Sequence, residues 1–115
     1  MMIPIIGGTV SGALSGEVML GGADWAIRGD DGVWIVDARY AIQASDGTII
    51  QVFNSGAVRV DRSNVDVMPT ILTTPRFVAP EGIHGWLNHT VFVGTLGAEK
   101  SGDIGIVLVS IFKLI

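Results

Sequence analysis

Val33-Trp34-Ile35-Val36-Asp37-Ala38-Arg39-Tyr40-Ala41-Ile42-Gln43 is the stretch that decides the fold. Its even positions, Trp34, Val36, Ala38, Tyr40 and Ile42, are apolar or aromatic, whereas Asp37 and Arg39 fall on odd positions. A period of two places the sets on opposite faces of a strand. Ser45-Asp46-Gly47 follows, a turn sequence that returns the chain into Ile49–Phe53 as a hairpin.

Outward from this hairpin, turn residues recur at short intervals: Gly7-Gly8, Gly21-Gly22, Asp30-Asp31-Gly32, Asn54-Ser55-Gly56, Gly82, Gly94 and Ser101-Gly102-Asp103. Sixteen glycines and abundant Val, Ile and Thr between the turns favour strands over helices. The spacing predicts strands at Gly16–Leu20, Trp25–Arg28, Ala57–Val60, Leu72–Val78, Trp86–Val93 and Ile104–Leu114. The expected fold is all-β, a single antiparallel up-and-down barrel of about seven to eight strands occupying residues 1–115. A barrel of about eight strands has room for its own side chains or one small ligand, so lumen-facing polar residues are the ones to examine. Ile104–Leu114 is apolar on both faces and is expected to be covered on both, by the barrel interior and by a second chain or a loop. Asp61 to Thr70 reads as a connecting loop, with a short helix or lid ending at Pro69 as the alternative. Pro75 predicts an edge or a bulge.

Composition removes several function classes. A chain of 115 residues supports one core. With 49% apolar residues, 16% charged residues and a mean hydropathy of +0.55, it is no disordered chain. Seven Lys and Arg against eleven Asp and Glu give −4, which speaks against a nucleic-acid partner. With no cysteine, thiol nucleophiles, disulfides and cysteine-based metal sites are excluded, and His84 and His89 have no metal-site spacing. Met1–Ile6 has no basic start and is interrupted by Pro4 and Gly7-Gly8, unlike a signal peptide. The apolar run from Ile104 to Ile115 is shorter than the roughly 20 residues that span a bilayer as a helix. The expectation is a soluble, cytoplasmic domain with no cofactor, no metal and no membrane partner.

Several residues could carry chemistry. Asp37 and Arg39, two apart on one face, are either a surface ion pair or a lumen pair that orients an anionic or carbonyl ligand. Arg76 shares a strand face with Leu72 and Thr74 and is a second guanidinium candidate. Asn54 and Asn88 sit in mostly apolar strands, where an amide must be satisfied by backbone or by ligand. Trp25, Trp34, Trp86 and Tyr40 supply bulk for a core or for the walls of a pocket. Asp24, beside Trp25, is expected to press against the indole and be desolvated, which suits a carboxyl group to acid or base work near neutral pH; Glu17 is a similar case.

Pro4-Ile5-Ile6-Gly7-Gly8-Thr9, Gly16-Glu17-Val18, Gly21-Gly22-Ala23-Asp24-Trp25, Asp37-Ala38-Arg39-Tyr40 and Asp46-Gly47 form a distinctive series. It continues in Asn54-Ser55-Gly56, Thr74-Pro75-Arg76-Phe77, Trp86-Leu87-Asn88 and Phe92-Val93-Gly94-Thr95. Over nearly the whole chain, this order resembles the bacterial and fungal family catalogued as domain of unknown function thirty-two thirty-seven. The resemblance implies a calycin-like antiparallel barrel and no particular reaction. It marks Glu17, Asp24, Trp25, Asp37, Arg39, Tyr40, Asn54, Arg76, Trp86 and Asn88 as matching positions. The family usually has a further strand or so before the Pro-Ile-x-Gly-Gly segment, and a longer stretch than the one between Asn54 and Leu72. The resemblance therefore implies closure through a partner subunit, or a wider mouth.

Three functions follow as expectations. The first is a cofactor-independent lyase or isomerase acting on a small cyclic, aromatic or oxo compound. In it, Asp24, Asp37 and Glu17 are acid/base candidates and Arg39 and Arg76 oxyanion donors. Asn54 and Asn88 orient the ligand against Trp25, Tyr40 and Trp86. The second is a barrel that binds a small organic ligand without chemistry. The third is an assembly module whose apolar edges form a homo-oligomer.

Overall fold

The structure, a computed structural model, describes residues 1–60, 70–101 and 104–114. Of the expected Asp61–Thr70 connection, residues 61–69 lie outside the described residues. In chain order the strands are β1 (Met2–Ile5), β2 (Gly8–Val10), β3 (Gly16–Val18), β4 (Gly22–Trp25), β5 (Ile27–Arg28), β6 (Val33–Ala44), β7 (Ile49–Arg59), β8 (Ile71–Val78), β9 (Phe92–Ser101) and β10 (Ile104–Lys113). They make one antiparallel, all-β sheet, with a 3₁₀ turn at Gly85–His89 between β8 and β9.

The ten strands among the described residues exceed the expected seven to eight because two passes of the chain are broken. β5, β4 and β3 follow one another along the same edge of β6, through the pairs Ile27↔Ile35, Asp24↔Ala38 and Glu17↔Gln43. β1 and β2 in turn pair with β4 and β3. Two broken passes and five unbroken ones make seven. Beyond β6 the order is a plain meander, β6-β7-β8-β9-β10. β1 and β10 end the sheet without pairing to each other, yet residues of both line one interior cavity. The sheet is therefore curled like a barrel and left open along one seam.

The β6–β7 hairpin forms where its sequence predicts. Gly47 takes φ +91°, open to glycine without strain, and donates its N–H to the Ala44 carbonyl. The Asp46 carboxylate accepts the Thr48 N–H at 3.0 Å and meets His84 Nε2 at 2.9 Å. These bonds hold the Asp46 pKa below its ordinary value, the backbone bond to Thr48 first among the causes.

Two expected turns are strand instead. Asn54-Ser55-Gly56 runs through the middle of β7, paired with β6 on one side and β8 on the other. Gly56 serves close approach there, since a Cβ would fall against the Leu72 carbonyl oxygen. Gly94 is likewise inside β9, opposite Thr73. The expected strand Trp86–Val93 is also corrected: Gly85–His89 is a 3₁₀ turn, and β9 starts only at Phe92. Backbone bonds from Gly85 to Gly82 and from Leu87 to His84 close that turn, and Leu87 is buried beneath it. Pro75 sits within β8, and the β8–β9 ladder ends at Thr73↔Gly94, where no proline N–H is needed.

The core has two apolar parts. Ile42, Ile50, Val52, Phe77, Leu87 and Phe92 pack at one end, with Phe77 and Phe92 in edge-to-face contact at 5.1 Å. Val36, Ile71 and Leu96 form a smaller cluster farther along the strands. On β10, which was expected to be covered on both faces, Leu108 and Phe112 are more than half exposed.

Candidate ligand site inside the barrel

Register builds the site. Ile3, Asp24, Ala38, Asn54 and Pro75 lie directly opposite one another across β1, β4, β6, β7 and β8. Residues opposed in an antiparallel ladder share a face, and this row faces the interior. The neighbouring row along β6 is Tyr40, Val52 and Phe77; on the other side it is Val36, Gly56 and Thr73. A cavity of about 840 Å³ runs along these rows, lined by aliphatic groups and by Asp24, Arg28, Trp34, Tyr40, Asn54 and Trp86.

Its polar groups are few and under-satisfied. Asn54 is 1% exposed, and neither its Nδ2 nor its Oδ1 has a partner. Thr73 Oγ1, buried one row along from Asn54 and outside the cavity lining, is in the same condition, because Gly56 and Gly94 flank it and offer no side chain. Each such group forfeits about 1–3 kcal/mol relative to a paired one. Asp24 Oδ1 accepts the Asp37 N–H at 2.9 Å, and its other oxygen has no hydrogen-bond partner among the described residues. Burial pushes the Tyr40 phenol pKa above its ordinary value, so at neutral pH this hydroxyl keeps its proton as a hydrogen-bond donor. Arg28 lies opposite Trp34 and places its guanidinium 4.4 Å from the centre of the indole.

Of the ten residues singled out by sequence, Asp24, Tyr40, Asn54 and Trp86 line this cavity. Asp37, Arg39 and Arg76 do not. They lie on the opposite face with Phe53, Ser55 and Thr74, around an outer depression of about 480 Å³. The expectation of a lumen pair is corrected by parity: Ala38 and Tyr40 point inward, so Asp37 and Arg39 between and beside them point out. Arg39 bonds Asp37 at 3.1 Å, and Arg76 lies over the Phe53 ring at 4.9 Å. Glu17 is exposed, opposite Gln43. Trp25 is 52% exposed and on the other side of β4 from Asp24, so the expected carboxylate–indole contact is absent. Asn88 is a clasp: its side-chain amide accepts the Ala79 N–H at 2.7 Å and donates to the Ala79 carbonyl at 2.9 Å.

Sequence reasoning passed over Arg28, and Thr73 with it. The signal for Arg28 was present: a turn at Asp30-Asp31-Gly32 sets Arg28 opposite Trp34, on the apolar face of the deciding strand. Among the described residues no three His, Asp or Glu side chains are grouped to hold a metal ion. No helix among them is long and apolar enough to cross a membrane.

A family model described as "Protein of unknown function (DUF3237)" matches residues 1–114. The chain belongs to that family. The DUF3237 assignment bears out the resemblance read from the sequence series. Relatives include UPF0311 proteins of Bradyrhizobium diazoefficiens, 32% identical over 104 residues (82% of this chain, 68% of the relative), and of Rhodopseudomonas palustris, 32% identical over 105 residues (82% and 69%). Among solved structures, a Rhodopseudomonas palustris protein of unknown function superposes with a TM-score of 0.84 at 27% identity, covering 99% of this chain and 80% of its own. A protein of unknown function from Clostridium acetobutylicum gives 0.81 at 30% identity, with coverages of 99% and 80%. An Acinetobacter baumannii protein described as beta-barrel like gives 0.75 at 28% identity, with coverages of 97% and 76%. The family thus secures the barrel-like fold of this DUF3237 chain, and the chemistry must be argued from the cavity.

Proposed function

We propose that the protein binds a small, largely apolar organic molecule inside the barrel, with Asn54 as its polar anchor. The observation that carries this reading is the Asn54 amide: buried in the cavity wall, with donor and acceptor both unmet. A fold evolved only for stability would place an aliphatic side chain there. A bound carbonyl, amide or hydroxyl would supply the missing partner, and the aliphatic lining would take up the rest of the molecule.

The test is a thermal-shift screen of the purified protein against small aromatic, lactone and oxo compounds, with tryptophan fluorescence as confirmation. Trp34 and Trp86 line the cavity and should report occupancy. A compound at 100 times its Kd adds about 2.7 kcal/mol of stability, a clear shift. Asn54→Leu should abolish the response to compounds that stabilise the native chain. Silence across the panel, in a protein that sizes as an oligomer, would instead favour assembly through exposed apolar β10.

A second reading adds chemistry at the same site. Asp24 keeps one carboxylate oxygen without a protein partner in a wall that also holds the protonated Tyr40 hydroxyl. That puts a base and a donor in one cavity wall, the minimum for cofactor-independent proton transfer of the isomerase or lyase kind. Arg39 and Arg76 take no part in it. Should a hit be turned over, Asp24→Asn ought to stop turnover and leave binding in place.

A further inference from the structure

Arg28 gives the cavity a chemical preference. It is the only guanidinium among the described lining residues, and its partner across the β5–β6 ladder is Trp34, on the interior face of β6. The guanidinium rests on that indole at 4.4 Å, and among the described residues no carboxylate lies within ion-pair distance of it. Asp31 Oδ1 accepts the Val33 N–H at 3.0 Å and Asp24 Oδ1 accepts the Asp37 N–H, and neither of them nor Asp30 is paired with Arg28. A stacked guanidinium keeps its in-plane N–H groups free, and those are the groups that grip a carboxylate in two parallel bonds.

Resting on the binding reading above, we propose that the ligand is a monocarboxylate with an apolar body and a hydroxyl or carbonyl at its far end, the acid group held by Arg28 and the far polar group by Asn54. The register gives a ruler for it. Arg28 is level with Trp34 and Asn54 with Ala38, four residues apart along β6. At about 3.3 Å per residue the two rows are about 13 Å apart. With a hydrogen bond of about 3 Å at each end, the ligand spans roughly 7 Å between polar groups. That is the span of a hexanoic acid carrying a hydroxyl or oxo group at its far end. Val36 lies between the two rows and packs with Ile71 and Leu96, one row farther toward Trp34, to line the space for the body.

The experiment is calorimetric titration of the full chain with 6-hydroxyhexanoate and with 6-hydroxyhexanamide, equal in length and differing in charge. Both are run on the native protein, Arg28→Gln, Arg28→Lys and Asn54→Leu. Native protein should bind the hydroxy acid about tenfold more tightly than its amide, the worth of a charge-assisted bond. Arg28→Gln should erase that preference by weakening the hydroxy acid alone, and Arg28→Lys should retain part of it. Arg28 is exposed, so its variants test charge rather than folding. Asn54→Leu should leave the ratio intact, because the acid lies at the other end. Equal affinities in the native protein, or a preference that survives in Arg28→Gln, would overturn the role of Arg28 while sparing the cavity. Failure of both compounds to bind any variant would overturn the binding reading as well.

Discussion

Asn54→Leu removes the group on which the functional argument turns. The change replaces two partnerless polar atoms in a 1% exposed side chain by methyl groups of similar shape. Loss of the unmet amide is worth about 1–3 kcal/mol. Burial of the new methyls adds about 0.8 kcal/mol each, and crowding against Ala38 and Pro75 subtracts about 1–3 kcal/mol. The neighbouring cavity can absorb part of that crowding. The expected balance is a gain of about 1–2 kcal/mol, or about 3–10 °C in Tm for a domain of this size. Urea unfolding followed by tryptophan fluorescence measures it, with an unchanged m-value as the check that only stability moved. A gain in stability joined to a loss of ligand response would mark Asn54 as a residue kept for binding. A loss of 1 kcal/mol or more would refute the reasoning, because the amide would then be satisfied in the free protein by buried water.

The other predictions concern parts that sequence alone did not distinguish. Asn88→Ala removes both bonds to Ala79 and leaves a buried backbone pair unmet, so unfolding should show a loss of about 2–4 kcal/mol, with no effect on ligand affinity beyond it. Gly56→Ala should cost about 2–4 kcal/mol by the same assay, since the backbone of β8 blocks the new Cβ. The Asp46 pKa is depressed in the folded state, so its contribution to stability is present above its unfolded value and is lost as pH falls through the folded one. Asp46→Asn should therefore flatten the acid limb of the stability curve, read by thermal melts at decreasing pH. Tyr40 has the opposite sign. Its raised folded pKa gives stability that is full below the unfolded value and lost as pH rises through the folded one, so Tyr40→Phe should soften the alkaline limb.

Much of the fold was legible because one strand carries a clean period of two and a turn of unambiguous chemistry. Those features located β6, the Asp46-Gly47 hairpin and the all-β class, and the ordered series of glycine, tryptophan and charged residues located the family. The failures share a cause. Asn54-Ser55-Gly56 and Gly94 carry turn residues, but their environment is two flanking strands that demand small side chains. Trp86-Leu87-Asn88-His89 alternates as a strand would, but Asn88 reaches back to Ala79 and holds the segment as a 3₁₀ turn. Both are tertiary effects that a local pattern does not contain. The candidate site was half legible: parity placed Tyr40 inside and, applied with equal strictness, also placed Arg39 outside.

That sorting matters for function more than the number of charged residues at signature positions. A guanidinium on the outer wall is hydrated and paired, as Arg39 is with Asp37, and its chemistry is that of a surface. Among the described lining residues, one carboxylate, one protonated phenol, one amide and one guanidinium share a largely aliphatic space. Few polar groups in such a space act strongly, since a low local dielectric raises both the worth of a bond made and the penalty of one missed. Asn54 and Thr73 bear that penalty in the free protein, and they sit between the two apolar clusters rather than at an edge where water would relieve it. Retaining three unmet polar atoms at mid-barrel is consistent with a protein that spends part of its life occupied. On that ground the interior outranks the arginine-rich outer wall as the place to look for a ligand.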